Sequence, residues 1–262
     1  MTQQAVSLRK VLLPAEHGSW GFVLEPLLLG LLVAPSRAGL AIALGVLALF
    51  LARQPLKLAA ADRLRRTFHP RTALSLRWGS LLGLTAAALF CVAAITTRPY
   101  FLIPLVAAAP IILVQFLHDI RREGRALVAE VAGATAAGAA ASAIAIAGAA
   151  APSIAAALWA LLALRAIPSI LYVRTRLRLE RGQAPSLITP VAAHLLAIMI
   201  ATTLWRVGVA PPLAIAAFVI LFLRCAIGLS PIRRRAPAKQ IGIAELVYGA
   251  VMILLTGIGY RL

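Results

Sequence analysis

Three arginines lie inside long apolar runs of this sequence, where a permanent charge is energetically unfavourable. They are Arg53, Arg165 and Arg224, and a second basic cluster begins nine or ten residues after each, with a proline between. An arginine below a membrane surface is costly unless it reaches the interface or finds a counter-charge. The pattern predicts anion-binding or ion-pairing sites, and the alternative is that these arginines only anchor helix ends at anionic head groups.

Helical spacing groups these arginines with other polar residues. One set consists of Arg165, Ser169, Tyr172 and Arg176. They follow the spacing i, i+4, i+7 and i+11, so they share one helix face. Such a stripe is expected to line a cavity, and guanidinium groups hold phosphate or carboxylate directly, without a metal ion. The predicted binding residues are Arg53, Lys57, Arg165, Ser169, Tyr172, Arg174, Arg176 and Arg178.

Carboxylates at matching depths supply possible counter-charges. Glu25 lies well inside the first apolar run, while Glu130 and Glu245 open later ones. Ion pairing with the arginines is the plainer interpretation, and proton handling by Glu25 is the functional alternative. Glu16 and His17 precede the first run and could act as an acid–base pair, since histidine titrates near neutrality. Glu16, His17 and Glu25 are therefore the catalytic candidates, and no residue spacing typical of a metal site occurs.

The composition places all these residues in a membrane protein. Of the 262 residues, 62% are hydrophobic and 13% are charged, about half the charged fraction of a soluble domain. The net charge of +18 is spread over short segments between apolar runs, with no separate basic domain. We therefore expect a lipid bilayer around the chain, no nucleic-acid partner, and one integral membrane domain over residues 1–262.

Nine apolar runs have about the length that a membrane-spanning helix needs. The sequence thus predicts an all-α polytopic transmembrane helical bundle, and the fifth run, rich in Ala and Gly, is expected to be its central packing element. The nine predicted spans are Gly18–Ala34, Gly39–Lys57, Leu76–Thr96, Phe101–Leu117, Leu127–Ala150, Ser153–Val173, Pro190–Val209, Pro211–Leu229 and Ala244–Tyr260.

The distribution of positive charge predicts the orientation. The N-terminus and the loops after helices two, four, six and eight, with adjoining helix ends, hold 22 of the 26 Lys and Arg residues. Since positive loops stay in the cytoplasm, the N-terminus should be cytoplasmic and the C-terminus outside, in a bacterial cytoplasmic (inner) membrane. The inner loops, of about nine to eighteen residues, are long enough to build a site, whereas outer loops of about one to four residues are not.

Several motifs carry a family resemblance that spans nearly the whole chain. The opening segment, with Glu16, His17, Trp20 and Glu25-Pro26, resembles the signature of the YwiC-like family of bacterial membrane proteins. The segments Leu51-Ala-Arg53-Gln-Pro55 and Tyr172-Val-Arg174-x-Arg176-Leu-Arg178 are also similar to that family's pattern. The resemblance implies a membrane protein and no particular reaction.

A more distant resemblance suggests a mechanism. Nine helices with charged motifs after helices two and six resemble the UbiA superfamily of intramembrane prenyltransferases, which hold a prenyl diphosphate through magnesium on Asp-rich motifs. Here the corresponding segments keep only Asp62 and Glu180 as acids. A magnesium cage needs several carboxylate oxygens, so no cofactor is expected and magnesium is not supported by the motifs.

Three functional hypotheses remain open. The first is a prenyltransferase-like enzyme acting on an isoprenoid or similar lipid with an anionic head group, bound at a cytoplasm-facing, arginine-rich cavity. The second is a non-enzymatic carrier or transporter of an anion or lipid, and the third is an accessory or assembly factor. The resemblance to nine-helix transferases favours the first, and the loss of the Asp-rich motifs argues against it.

Overall fold

A computed structural model describes residues 17–67 and 69–262, with side chains from Trp20 onward. This part of the chain is all-α, as predicted, and forms nine α-helices joined by short connections. A single turn of 3₁₀-helix, Pro99–Phe101, precedes the fourth. The helices are α1 (His17–Val33), α2 (Arg37–Leu64), α3 (Pro70–Thr96), α4 (Leu102–Ile120), α5 (Leu127–Ala147), α6 (Pro152–Glu180), α7 (Ile188–Arg206), α8 (Pro212–Leu229) and α9 (Ala238–Gly259).

Length and apolar composition identify the candidate membrane spans. The eight helices α2 to α9, α4 being taken with its 3₁₀ turn, are long and apolar enough to cross a membrane. The described part of α1, His17–Val33, agrees with the predicted first span, Gly18–Ala34, to within one residue at each end. The chain is therefore a multi-pass membrane protein.

Two helices continue beyond their predicted ends. Because Ala and other good helix formers follow Lys57, α2 runs on to Leu64, and α6 runs on to Glu180, before Gly182 with its φ of +75°. The prediction of inner loops of about nine to eighteen residues is therefore wrong. The four connections that follow α2, α4, α6 and α8 are 65–69, 121–126, 181–187 and 230–237.

Helix α5 is the centre of the bundle, as its small residues predict. It packs against α1, α2, α4 and α6, and 61% of its most apolar stretch is buried. The corresponding stretches of α3 and α4 are only 17% buried and face outward. Glycines let the backbones approach: a Cβ added at Gly30 of α1 would come within 2.8 Å of the Ile144 Cβ of α5.

The close contact of α1 with α5 generates a test. We expect Gly30→Ala to destabilise the protein by about 1–3 kcal/mol, because the added methyl group overpacks the contact with Ile144. Gly83→Ala in α3 is the matched control, since a Cβ there meets nothing within 4 Å. Unfolding in mixed micelles of increasing SDS fraction measures both. Equal stability of the two variants would contradict this packing.

Candidate functional site

The connections after α2, α4, α6 and α8 come together at one end of the bundle, called here the basic end. Contacts between them establish this: Arg174 Nη1 of α6 donates to the carbonyl of Arg125, 2.9 Å away, and Arg176 donates to the carbonyl of Arg234. At the opposite end, the Tyr260 hydroxyl donates to the carbonyl of Val209 at 2.6 Å. The candidate site residues lie between the basic end and the middle of the bundle.

Four charged side chains from four helices form a buried cluster, called here the charge cluster. Glu25 of α1 pairs with Arg165 of α6, with 2.8 Å between Oε1 and Nη2. Arg224 of α8 pairs with Glu245 of α9, with 2.6 Å between Nη1 and Oε1. Arg165 Nη2 also donates to the backbone carbonyl of Glu245 at 2.9 Å, which joins the two pairs. The predicted pairing of Glu25 with an arginine inside the membrane is confirmed.

Polar and aromatic side chains surround Arg224. Its Nη2 donates to the Ser169 hydroxyl at 3.1 Å, and its guanidinium carbon lies 4.2 Å from the centre of the Tyr172 ring and 5.5 Å from that of Tyr248. Cation–π contacts of this kind strengthen when water is excluded. Arg224 therefore has a second set of favourable contacts besides Glu245.

Two glycines make room for these side chains. A Cβ at Gly249 of α9 would collide with Glu25 Oε1 and come within 2.7 Å of Arg165 Nη2. A Cβ at Gly228 of α8 would collide with the hydroxyl of Tyr172. The sequence therefore provides the space in which the charge cluster assembles.

The charge cluster lies deep in the apolar part of the bundle. Arg165, Arg224 and Glu245 lie 12 to 14 residues from the helix ends opposite the basic end. At 1.5 Å per residue that is about 18 to 21 Å, within a hydrocarbon layer of about 30 Å. Ionised groups at this depth must be paired or neutralised, and they are functional-site candidates for that reason.

A second ion-pair group lies at the basic end. Asp119, at the end of α4, is 1% exposed and binds Arg53 Nη2 at 2.6 Å and Lys57 Nζ at 3.4 Å. Gly124 packs against the same carboxylate. Asp119 is not among the residues predicted from the sequence, although an acid at the end of an apolar run, with two basic residues on one face of another helix, is a usable signal.

The remaining predicted binding residues have separate contacts. Arg174 pairs with Glu130 at 2.9 Å, and the buried Arg176 pairs with Glu180 at 2.9 Å and donates to the carbonyl of Gly228. Arg178 is exposed and makes no ion pair with any described residue. Glu16 and the side chain of His17 lie outside what the structure describes.

The predicted binding residues thus fall into several groups. Arg165, Ser169 and Tyr172 belong to the charge cluster, Arg53 and Lys57 share Asp119, and Arg174 and Arg176 bind separate acids. Two open cavities lie at the basic end. The larger, about 440 Å³, is lined by Lys57, Arg122, Glu123, Gly124, Arg125 and Ala126. The smaller, about 360 Å³, is lined by Leu177, Glu180, Arg181, Arg235, Ala236, Pro237 and Ala238.

Asp62 and Glu180, the acids near the basic ends of α2 and α6, are each already bound by a basic residue. Asp62 is bound by Arg71, at 3.0 Å, and by the Thr72 hydroxyl, at 2.8 Å. Glu180 is bound by Arg176. No group of three or more His, Cys, Asp or Glu side chains that could hold a metal occurs among the described residues.

Fold and site together define a helical multi-pass membrane protein with a neutral cluster of two acids and two arginines inside it. The pattern of the YwiC-like protein family matches residues 13–145, which are 133 of the 262 residues, and the chain belongs to that family. The matched part contains Glu25, Arg53, Lys57 and Asp119. No curated protein and no solved structure matches the chain.

The Glu25–Arg165 pair can be tested by a double-mutant cycle. Arg165→Met should destabilise the protein by about 3–5 kcal/mol, because it leaves the buried Glu25 without its counter-charge. Adding Glu25→Met should recover most of the loss, since the site then contains two apolar side chains of suitable size. SDS-titrated unfolding in micelles gives the coupling energy. If the two single effects simply add, the pair is not coupled.

Proposed function

We propose that the protein binds a lipid with an anionic head group, such as an isoprenoid phosphate or a phospholipid, in the larger cavity at the basic end. One observation carries this proposal: the cavity is lined by three basic residues and by one acid, Glu123. Charge-assisted hydrogen bonds from ammonium and guanidinium groups hold phosphate oxygens without a metal ion. The cavity therefore favours a negatively charged head group.

Lys57 is the basic residue best placed to reach a ligand. Asp119 binds Arg53 through two nitrogens, at 2.6 and 2.7 Å, whereas Lys57 is 3.4 Å away and 30% exposed. The arginine satisfies most of the charge on Asp119, so Lys57 can turn toward the cavity at small cost. Arg53 then acts as the residue that keeps Asp119 in place.

The start of α5 adds to the positive potential of this cavity. Ala126, which lines the cavity, immediately precedes α5 and provides no side-chain cap. The first N–H groups of a helix carry partial positive charge and bind anions. Together with Lys57 and Arg122, this helix end favours a phosphate or carboxylate over a neutral head group.

Apolar side chains beside the cavity offer a surface for the lipid tail. Leu117 at the end of α4 and Leu127 and Val128 at the start of α5 are 44%, 39% and 58% exposed. They flank the connection that carries the basic residues. The tail of a lipid whose head group lies in the cavity would therefore contact these apolar side chains. This arrangement supports an amphiphile over a small soluble anion.

Lipid binding is the step that a prenyltransferase-like enzyme, a carrier and an accessory factor have in common. Turnover of a labelled prenyl donor would identify the enzyme, and ligand flux into proteoliposomes would identify the carrier. We propose only this shared binding step, because the basic cavity supports lipid binding directly.

Binding to matched lipids tests the proposal. Native mass spectrometry should show phosphatidylglycerol bound in preference to phosphatidylcholine with the same acyl chains, and binding should persist in EDTA. Lys57→Ala with Arg122→Ala should weaken phosphatidylglycerol binding by about tenfold, because charge-assisted contacts worth about 1.4 kcal/mol are lost. Arms with a prenyl diphosphate and with inorganic phosphate distinguish a lipid site from a simple anion site.

Arg98→Ala is the control, since Arg98 is an exposed arginine at the opposite end of the bundle. Normal binding by the double variant would contradict the proposed cavity. Loss of wild-type binding in EDTA would contradict metal-free recognition.

We propose in addition that the basic end faces the cytoplasm of a bacterial inner membrane. The excess of Lys and Arg at that end supports this orientation. A reporter fused after Leu262 should then be active outside, and the same reporter inserted in the connection 181–187 should be active inside. A cytoplasmic signal from the Leu262 fusion would overturn the orientation.

A further inference from the structure

A row of buried polar side chains, called here the polar path, leads from the basic end to the charge cluster along α6. Arg176, Tyr172, Ser169 and Arg165 share one face of this helix and are all buried. Arg165 and Arg176 are 11 residue steps apart, or about 16 Å at the helical rise. Near the basic end Arg176 binds Glu180, which lines the smaller open cavity, so the path begins at a surface that water reaches.

Toward the opposite end of the bundle the path stops at a packed apolar core. Beyond the charge cluster, the four helices that contribute to it present buried apolar side chains to one another. These include Leu29, Leu158, Leu161, Phe218, Leu221 and Met252. The polar path is therefore open to one side of the membrane and closed to the other.

Glu245 is the acid of the charge cluster whose second carboxylate oxygen, Oε2, is available to bind a proton. Its Oε1 binds Arg224, its Oε2 is buried without a hydrogen bond of normal geometry to any described residue, and the Ser169 hydroxyl is the neighbouring donor that interacts with this carboxylate. An unsatisfied buried carboxylate oxygen is costly, and an added proton or water relieves that cost. The side chain of Glu245 is 14% exposed, against 8% for Glu25, so Glu245 is the more accessible of the two acids.

The charge cluster can accept a proton without leaving Arg224 isolated. If Glu245 becomes neutral, Arg224 keeps its hydrogen bond to Ser169 and its position over the rings of Tyr172 and Tyr248. Cation–π contacts in a water-excluded site are worth about 2 kcal/mol or more. Arg165 still pairs with Glu25, so the second ion pair is unchanged.

We propose that Glu245 is a proton-binding carboxylate at the inner end of a one-sided polar path from the basic end. The proton comes from water at that end and binds Oε2, so the charge cluster changes from neutral to a single positive charge. Charged and titratable groups interact with Glu245 from each helix packed against α9: Glu25 of α1, Arg165 and Tyr172 of α6, and Arg224 and Cys225 of α8. Tyr248 of α9 itself lies beside Arg224. This inference is independent of the proposed lipid site.

Labelling with dicyclohexylcarbodiimide tests this proposal, because the reagent is apolar and reacts with protonated carboxyl groups. The acid O–H adds across a C=N bond of the reagent, and an acyl shift to nitrogen leaves a stable N-acylurea, so all atoms of both reactants are retained. We expect one adduct per chain in proteoliposomes, mapped to Glu245 by peptide mass spectrometry, with a yield that rises as the pH falls.

Mapping on the wild-type protein makes the result independent of whether a variant folds. Glu245→Gln should abolish the adduct, and Glu123→Gln, which changes an exposed acid at the basic end, should leave it unchanged. Absence of an adduct at every pH, a yield that does not depend on pH, or an adduct at Glu25 instead of Glu245 would each overturn the proposal.

Discussion

The pairing of Glu25 with Arg165 constrains the arrangement of the helices around it more than any other contact described. An ion at this depth costs several kcal/mol when it is unpaired, so α1 and α6 cannot separate without exposing one charge or the other to lipid. Arg165 also binds the backbone of α9, and Glu245 of α9 binds α8. Four helices are thus fixed relative to one another by two ion pairs and one hydrogen bond.

The rest of the bundle is held by packing of a different kind. On the other face of α1, the small residues of α5 bring the two backbones together, and no charge is involved. Helix α1 therefore lies between an apolar contact with α5 and a polar one with α6 and α9. Ion pairs specify orientation, since each has a single geometry, whereas close packing of Ala and Gly maximises dispersion contacts. The two surfaces together determine both the position and the rotation of α1.

The sequence predicted the features that follow from the position of a charge inside an apolar run. It did not predict contacts that depend on how helices distant in sequence pack together. Glu25 inside an apolar run requires a basic partner, and three arginines at similar depth were the obvious choices. Asp119 gave a weaker signal, because it lies at the end of its apolar run beside a charged connection, and its partner Arg53 is 66 residues away. Arg176 fits the stripe, and its pair with Glu180 follows from i, i+4 spacing, yet its contacts with carbonyl groups depend on how α8 folds against α6. The loop lengths were overestimated because helix formers continue past the membrane boundary.

The sequence distance between Glu25 and Arg165 has a consequence for how the protein is made. The two residues are 140 positions apart, so Glu25 leaves the ribosome roughly 7 to 28 s before its partner at typical rates of synthesis. Inserting an acid at the middle of a helix costs about 2.5–3.5 kcal/mol on the scale set by the translocon. Throughout this interval α1 either waits at the interface or enters with its carboxyl protonated. The first of the described helices is therefore among the last of them to reach its final state, after α6 has entered the bilayer.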